Sequence, residues 1–490
     1  MIPWYSTEAV RSLDGQLIGL GFSGLELMER VGRGIADFVR DSLSAKSVLI
    51  LAGAGNNGGD GFVAARHLAG FGVPVRVVLS HSRSRSSGDA AVNLRHLDAN
   101  CVRIAESAAL TDNELNDLFQ GYDLVVDALL GTGALGKPRG ETARLIRAVN
   151  TARNGKRVLA VDVPSGVESG ETVVQASWTC TAAARKTPCA TGHGAAVCGE
   201  IVLIPLDERA ESLLGASEAF ELEERDILSI LPKRSADDHK GSRGGVLIVA
   251  GSERYRGAAL LAARGALRAG AGIVVLASTA KVCDALSVAL PECIAEPIVK
   301  AEELSDVMKR WRPRCSALVV GSGLDRDERA RDICRIAAKW DGASLWDGDG
   351  LYWLALESLR PAGCCVTPHE GEAARLLRTE RLSSDRFAAA QEIAESGGIV
   401  LLKGYRSIVA ERGKAPLIVP RGNRALSIPG SGDVLSGVCG AFLAVGLSRR
   451  DALTLGAWCH GAAGERLGME RGLDGILAHE VADTIPLILK

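Results

Sequence analysis

The stretch SVLILAGAGNNGGDGFVAARHLAGFG (47–72) decides the fold of the first half of the chain. It opens with a short apolar, branched run at 48–52, which suits a strand covered on both faces. Glycines follow, and from near Gly61 the residues Phe62, Ala65, Leu68 and Ala69 recur at helical spacing. Gly53, Gly55 and Gly58 satisfy G-x-G-x-x-G between strand and helix, where a backbone turn can approach a pyrophosphate. The acidic residue that the dinucleotide fingerprint places at the end of the next strand is missing, because that strand runs VPVRVVLSHS (73–82). A P-loop is excluded too, since no Lys-Ser/Thr pair follows the glycines. The distinctive element is NNGGDG (56–61). Backbone N–H groups at a helix start suit a pyrophosphate, and Asn and Asp oxygens suit a hard cation. An Asn/Gly turn that only caps a helix has the same composition.

The strand, glycine turn and helix recur along the chain. Strands are predicted at 73–79, 124–128 and 158–163, then, beyond residue 220, at 246–250, 273–277, 317–320, 363–367 and 399–402. Alternation of this kind predicts the α/β class, with parallel sheets covered on both faces. Between the two series the sequence turns charged and ends in LPKRSADDHKGSRGG (231–245). This predicts a boundary near residue 220, with domains at 1–217 and 225–490.

The chain has 490 residues, enough for two large domains. Its 57 Lys and Arg against 59 Asp and Glu leave no basic footprint for nucleic acid. Twelve cysteines without a C-x-x-C pair, and a start without an apolar run, predict reduced thiols in a cytoplasmic protein. The apolar stretch 426–448 contains Asp433, so it reads as a loop entering a buried helix rather than a membrane span. The tract HSRSRSS (81–87) reads as a solvated loop.

Two further segments, DLVVDALLGTG (123–133) and VLAVDVPSG (158–166), each run a strand into an Asp and a glycine-bearing loop. Carboxyl ends of adjacent parallel strands face one crevice, so Asn57, Asp127 and Ser165 can reach one point. An all-oxygen set of low charge favours an alkali or alkaline-earth ion. With TEAVRSLDGQLIGLGFSGLELMERVG (7–32), these segments resemble the YjeF N-terminal domain, the NAD(P)H-hydrate epimerase, a Rossmann-like three-layer sandwich. The resemblance implies K⁺ at Asn57, Asp127 and Ser165. It implies that hydrated NADH or NADPH (NADHX, NADPHX) is held by Asn56, Asn57, Gly58, Gly59 and Asp60, by Gly131, Thr132, Gly133, Ala134, Leu135, Gly136 and Lys137, and by Asp162. Asp162 is then the candidate general acid/base for inversion at C6. Over 181–199, TAAARKTPCATGHGAAVCG, only a Lys and glycines match the family pattern, and His193 reads as structural.

In the second half, GNRALSIPGSGDVLSGVCGAFLAVG (422–446) places a glycine turn before an apolar helix. Its first N–H groups and the helix dipole form an anion hole. Asp433 at its mouth is either a base or a cap for its own helix. Five more segments occur in order: 239–274, VVGSGLDRD (319–327), DGDGL (347–351), VTPHEGEAARLL (366–377) and LLKGYRSIV (401–409). Together they resemble the ADP-dependent NAD(P)H-hydrate dehydratase, a ribokinase-like three-layer sandwich. By that resemblance Ala258, Gly323, His369 and Asp433 contact the hydrate. Lys403, Gly404, Tyr405, Arg406, Ser407 and Gly432 hold the nucleotide, ADP or ATP, with Mg²⁺ on its phosphates. From the residues alone, Gly323 is a tight turn and His369 orders its loop. Two departures stand out: Pro429-Gly430 in place of two glycines, and DGDG (347–350) in place of Asp-Ala-Asp-Ala, expected to loosen a strand end. The expected partners are NADHX, NADPHX and ADP, without nucleic acid or membrane, in a homo-oligomer. The alternative is a ribokinase-like small-molecule kinase joined to a non-catalytic nucleotide-binding or scaffold domain.

Overall fold

The computed structural model describes residues 1–97, 102–134, 136–152, 157–233 and 235–490. Leu135, one of the expected hydrate contacts, lies outside the described residues, as does Cys101. The chain forms two compact units, Pro3–Glu218 and Ala219–Lys490, the second including Met1–Ile2.

The first unit is built on seven parallel strands: β1 (Val48–Ala52), β2 (Val75–Leu79), β3 (Val102–Glu106), β4 (Leu124–Ala128), β5 (Arg157–Val161), β6 (Trp178–Ala182) and β7 (Glu200–Ile204). Their order is β3-β2-β1-β4-β5-β6-β7, so the winding reverses between β1 and β4. Alternating side chains serve opposite faces. Ile50 and Val126 join one core with helices α1 (Thr7–Gly19), α2 (Gly24–Phe38) and α3 (Asn56–Gly70). Leu49, Leu51 and Val125 join another with the helices Asp112–Gly121 and Gly140–Ala152. The result is a three-layer sandwich.

Helix α3 begins at Asn56, five residues before the expected start near Gly61, so NNGGD is its first turn. Propensity reads glycines as a loop, but packing demands them here. A Cβ on Gly58 would stand 1.9 Å from the Gly53 carbonyl oxygen, and one on Gly61 would stand 2.7 Å from Ala128 Cβ.

The second unit carries a mixed sheet of β8 (Ala219–Glu221), β9 (Gly245–Val249), β10 (Ile273–Ser278), β11 (Ile294–Pro297), β12 (Ala317–Val320), β13 (Ala343–Trp346), β14 (Cys365–Val366), β15 (Ile399–Leu402), β16 (Ser407–Glu411) and β17 (Lys414–Val419). These run in the order β8-β17-β16-β15-β14-β13-β12-β9-β10-β11. Strands β9 to β15 pair in parallel, but β16 pairs antiparallel with both β15 and β17. The expectation of an all-parallel sheet is corrected there: Glu411 to Lys414 is too short for a crossover helix and closes a hairpin instead.

Helix α4 (Arg256–Arg268) packs against α5 (Ser431–Ala444), which is buried along nearly its whole length. Their backbones touch, because a Cβ on Gly437 would stand 1.9 Å from the Ala262 carbonyl oxygen. On its other side, Gly440 lies against Val319 of β12. This clamp fixes where the amino end of α5 points. Among the described residues, no helix is long and apolar enough to cross a membrane.

Candidate functional sites

In the first unit, a cavity of about 730 Å³ opens at the carboxyl edge of the sheet, at the reversal between β1 and β4. Asn56, Asn57, Asp60, Gly131, Thr132, Gly133, Ala134 and Asp162 all line it. Gly58 and Gly59 are buried in packing, Gly59 against Met28. Gly136 turns with φ +84°, and Lys137 pairs with Glu171 at 2.7 Å.

Asp162 sits just past β5 with φ +70°, a left-handed backbone. Its carboxylate meets Lys186 Nζ at 2.8 Å and accepts the Thr132 N–H at 3.0 Å. Lys186 is buried and also donates to Thr181 Oγ at 2.6 Å and the Ala182 carbonyl at 3.2 Å. Burial pushes Asp162 upward, but Lys186 and the Thr132 hydrogen bonds outweigh it and hold the carboxyl below its usual range. Asp60 goes the other way. Burial first, then the charges of Asp162 and Asp14, lift it well above the carboxylate range against the pull of Lys186. One cavity therefore holds two carboxyls whose hold on a proton is pushed in opposite directions, the separation that acid/base chemistry needs. The sequence reading noted Lys186 only as a Lys matching the family pattern in a stretch of small residues and gave it no role; the structure pairs it with Asp162.

Of the expected cation ligands, Asp127 and Ser165 pair directly, while Asn57 lines the cavity. Asp127 is fully buried at the end of β4. It accepts the Ser165 hydroxyl at 2.6 Å, the Ser165 N–H at 2.8 Å and the Leu129 N–H at 3.2 Å. Burial pushes its carboxyl up to about 6, with the Ser165 and Leu129 donors pulling back. The Asn57 amide is buried with neither its oxygen nor its nitrogen bonded to protein. An orphaned amide oxygen, together with the carboxylate and hydroxyl oxygens of Asp127 and Ser165, is a hard, low-charge donor set of the kind that fits a monovalent cation.

In the second unit, Gly430 caps α5 with φ +86°, and Asp433 lies in its first turn. Asp347, at the end of β13, accepts Lys403 Nζ at 2.7 Å and the Ser436 hydroxyl at 2.7 Å. Lys403 also faces Glu372 at 3.7 Å. Burial lowers the Lys403 pKa, but Asp347 and Glu372 more than compensate and keep it charged. A Cβ on Gly432 would stand 3.5 Å from that ammonium. Burial, then the Asp347 charge, push the Asp433 carboxyl up to about 7, with Ser322 and Lys403 opposing. A carboxyl with its pKa near neutrality thus stands beside a fixed cation at the amino end of α5, where a helix offers N–H groups to an anion. Behind them, His460 Nε2 is 3.1 Å from Ser431 Oγ, and burial pushes this imidazole down to about 4, so it is neutral.

The other expected residues divide. Gly323 turns with φ +62° against Ala258, a Cβ there coming within 2.8 Å of Ala258 Cβ. His369 caps the helix Glu370–Leu376, its Nδ1 accepting the Gly371 N–H at 3.0 Å, while the ring stays exposed. Tyr405 is exposed, Arg406 pairs with Glu221 at 3.2 Å, and Ser407 Oγ donates to the Gly404 carbonyl at 3.1 Å. The DGDG departure does not loosen its strand end. Gly348 takes φ +52°, and a Cβ on Gly350 would stand 2.8 Å from the Val320 carbonyl oxygen, so the glycines seat this turn closely on β12.

Residues 24–188 match the family described as YjeF-related protein N-terminus, and residues 246–487 match NAD(P)H-hydrate dehydratase. The chain is 36% identical to the bifunctional NAD(P)H-hydrate repair enzyme Nnr of Thermanaerovibrio acidaminovorans, over 99% of this chain and 98% of that protein. It belongs to the family of bifunctional NAD(P)H-hydrate repair enzymes. Members from Coxiella burnetii and Escherichia coli K12 are 33% and 32% identical, over 97% and 99% of this chain and 97% and 93% of theirs. A ribokinase-like superfamily protein from Enterococcus faecalis V583 shares the fold at TM-score 0.51 and 20% identity, covering 56% of this chain and 97% of that one. A Bacillus subtilis ADP/ATP-dependent NAD(P)H-hydrate dehydratase, co-crystallised with ATP and Mg²⁺, is similar at TM-score 0.49 and 27% identity, over 56% and 98%. In this repair enzyme both the Asp162 cavity and the Asp433 helix end lie inside the matched segments.

Proposed function

We propose that the first unit interconverts the two C6 epimers of hydrated NADH and NADPH, and that the second dehydrates one of them, the S form, at the expense of ADP. The observation that supports this most is that one chain, matched end to end by bifunctional relatives, holds two sites whose acids and bases are set for those two reactions.

In the first unit, Asp162 acts as general acid/base at C6, kept ionised by Lys186. Asp60, whose buried carboxyl holds a proton more tightly than usual, gives it to the hydroxyl as that departs as water, leaving a cation shared between C6 and N1; water re-adds from the opposite face and gives its extra proton to Asp162, which passes it back to Asp60. Asn57, Asp127 and Ser165 would hold K⁺, which supplies fixed positive charge next to the hydrate.

In the second unit, Asp433 takes the proton of the 6-hydroxyl as that oxygen attacks the terminal phosphorus of ADP and AMP leaves. The phosphate at C6 then departs with loss of a C5 proton, giving NAD(P)H and inorganic phosphate. Phosphate is the better leaving group, which accounts for the nucleotide consumed. Lys403 and the first-turn N–H groups hold the phosphates. Among the described residues, no three His, Cys, Asp or Glu side chains come together to hold a metal. Mg²⁺ would neutralise charge on the phosphates of the nucleotide.

The deciding assay uses the full chain with K⁺, Mg²⁺ and both NADPH-hydrate epimers, followed by reduced-nicotinamide absorbance with ADP, with ATP and with neither. Recovery of the whole hydrate pool, dependent on nucleotide and abolished in Asp433→Asn, is the expected result. Recovery that stops when the S epimer is exhausted would leave the first unit without its activity. No recovery at all would point to a kinase with another acceptor.

A further inference from the structure

The tract HSRSRSS follows β2, the neighbour of β1, so it leaves the same sheet edge as the glycine turn. Ser80, His81 and Arg85 line the cavity that also contains Asn56, Asn57 and Asp162. The loop is built rather than loose. His81 Nε2 lies 2.8 Å from Ser86 Oγ, the Arg85 N–H donates to the Ser82 carbonyl at 2.9 Å, and Glu106 accepts the Arg83 N–H at 2.8 Å. The other ring nitrogen of His81, Nδ1, is buried and has no protein partner among the described residues. Two acids stand near. Glu106 is engaged by the Arg83 backbone, and Asp89, which also lines the cavity, lies against Gly24 at the start of α2.

In doubly wound sheets the end of the second strand meets the adenosine ribose. A carboxylate there accepts the 2′-hydroxyl, whereas an arginine accommodates a 2′-phosphate. At this point the chain offers Ser80 and His81 in place of a carboxylate, with Arg85 beside them. We propose that Ser80, His81 and Arg85 form a subsite for the 2′-phosphomonoester of the substrate's adenosine half, so that the first unit prefers the phosphorylated hydrate. This rests on the epimerase reading of the first unit. With Ser86 donating to Nε2, His81 carries its proton on Nδ1 and donates it to the phosphate together with the Ser80 hydroxyl. The Arg85 guanidinium neutralises the dianion.

The test compares epimerisation of NADPH hydrate and NADH hydrate by the full chain, by Arg85→Ala and by Arg83→Ala, whose side chain is not part of the cavity wall. Arg85 is exposed, so its replacement leaves the fold intact. The expected result is a KM for the phosphorylated hydrate that rises about tenfold relative to that for the unphosphorylated one in Arg85→Ala, with kcat little affected. Arg83→Ala should leave the ratio where it was. An unchanged ratio in Arg85→Ala, or an equal change in Arg83→Ala, overturns the subsite. If neither hydrate is epimerised, the epimerase reading fails. Calorimetric titration with adenosine 2′,5′-bisphosphate and adenosine 5′-monophosphate then decides the subsite: Arg85→Ala must weaken the first about tenfold more than the second, and equal weakening overturns it.

Discussion

Replacing Asp433 by Asn should separate activity from stability in the second unit. In the native chain, burial and the Asp347 charge lift this carboxyl from an ordinary 3.8 to about 7. Activity follows the ionised form, so dehydration should rise about tenfold per pH unit below 7 and level off above it. Removing the base should slow dehydration by about 10²–10⁴, or about 3–5 kcal/mol of barrier. Stability moves the opposite way. Because the folded pKa lies above the unfolded one, the folded chain holds the proton longer, and stability is lost as pH climbs from about 4 to 7. Once the group is ionised the penalty is at most about 4 kcal/mol. Solvent reaches part of the side chain, so screening leaves about 1–2 kcal/mol. An uncharged Asn escapes that penalty, and melting at pH 8 should rise by about 2–6 °C while the difference vanishes near pH 4. Differential scanning calorimetry at both pH values, beside hydrate turnover, measures all of this. A variant that turns over at the native rate refutes the role of base. A variant that is no more stable at pH 8 than at pH 4, relative to the native chain, refutes the account of the raised carboxyl.

Other consequences can be checked directly. Lys186→Met removes the cation that keeps Asp162 ionised, so epimerisation should fall and its acid limb should move to higher pH in a rate profile; an unmoved limb would mean the lysine only fills space. Asp127→Asn should raise the K⁺ needed for half-maximal epimerisation about tenfold or more, measured by titrating KCl at constant ionic strength. Gly432→Ala meets only ordinary contacts in the structure and favours a helix by up to about 1 kcal/mol, so thermal melting should hold or improve. Its methyl group stands beside Lys403, in the proposed phosphate site, so the KM for ADP should still rise about tenfold.

The parallel strands were the easiest part to read. Buried on both faces, Val48–Ala52, Ala317–Val320 and Ile399–Leu402 are unbroken apolar runs, Leu124–Ala128 is interrupted only by Asp127, and the structure places all four at those bounds. The start of α3 was misread because a glycine's reason lay elsewhere in the chain, in the carbonyl of Gly53 and the methyl of Ala128. The hairpin of β16 and β17 went unseen because its apolar runs are short, SIVAE and KAPLIV, with charged residues at the turn between them. Within the sites, Asp127, Asp162 and Asp433 stood out because each follows a strand or opens a helix in a glycine-rich segment. Lys186 and His460 did not, since a lone Lys or His takes its meaning from side chains far along the chain, Asp162 for one and Ser431 for the other.

The left-handed backbone at Asp162 narrows what evolution can place there. Glycine, asparagine and aspartate occupy such a conformation at least cost, and longer side chains do so with strain. Of those three only aspartate can ionise. Glutamate, the usual conservative exchange, carries the right charge on the wrong backbone, and asparagine keeps the backbone but loses the charge. Under the acid/base role proposed for Asp162, chemistry and chain geometry thus intersect in a single residue type.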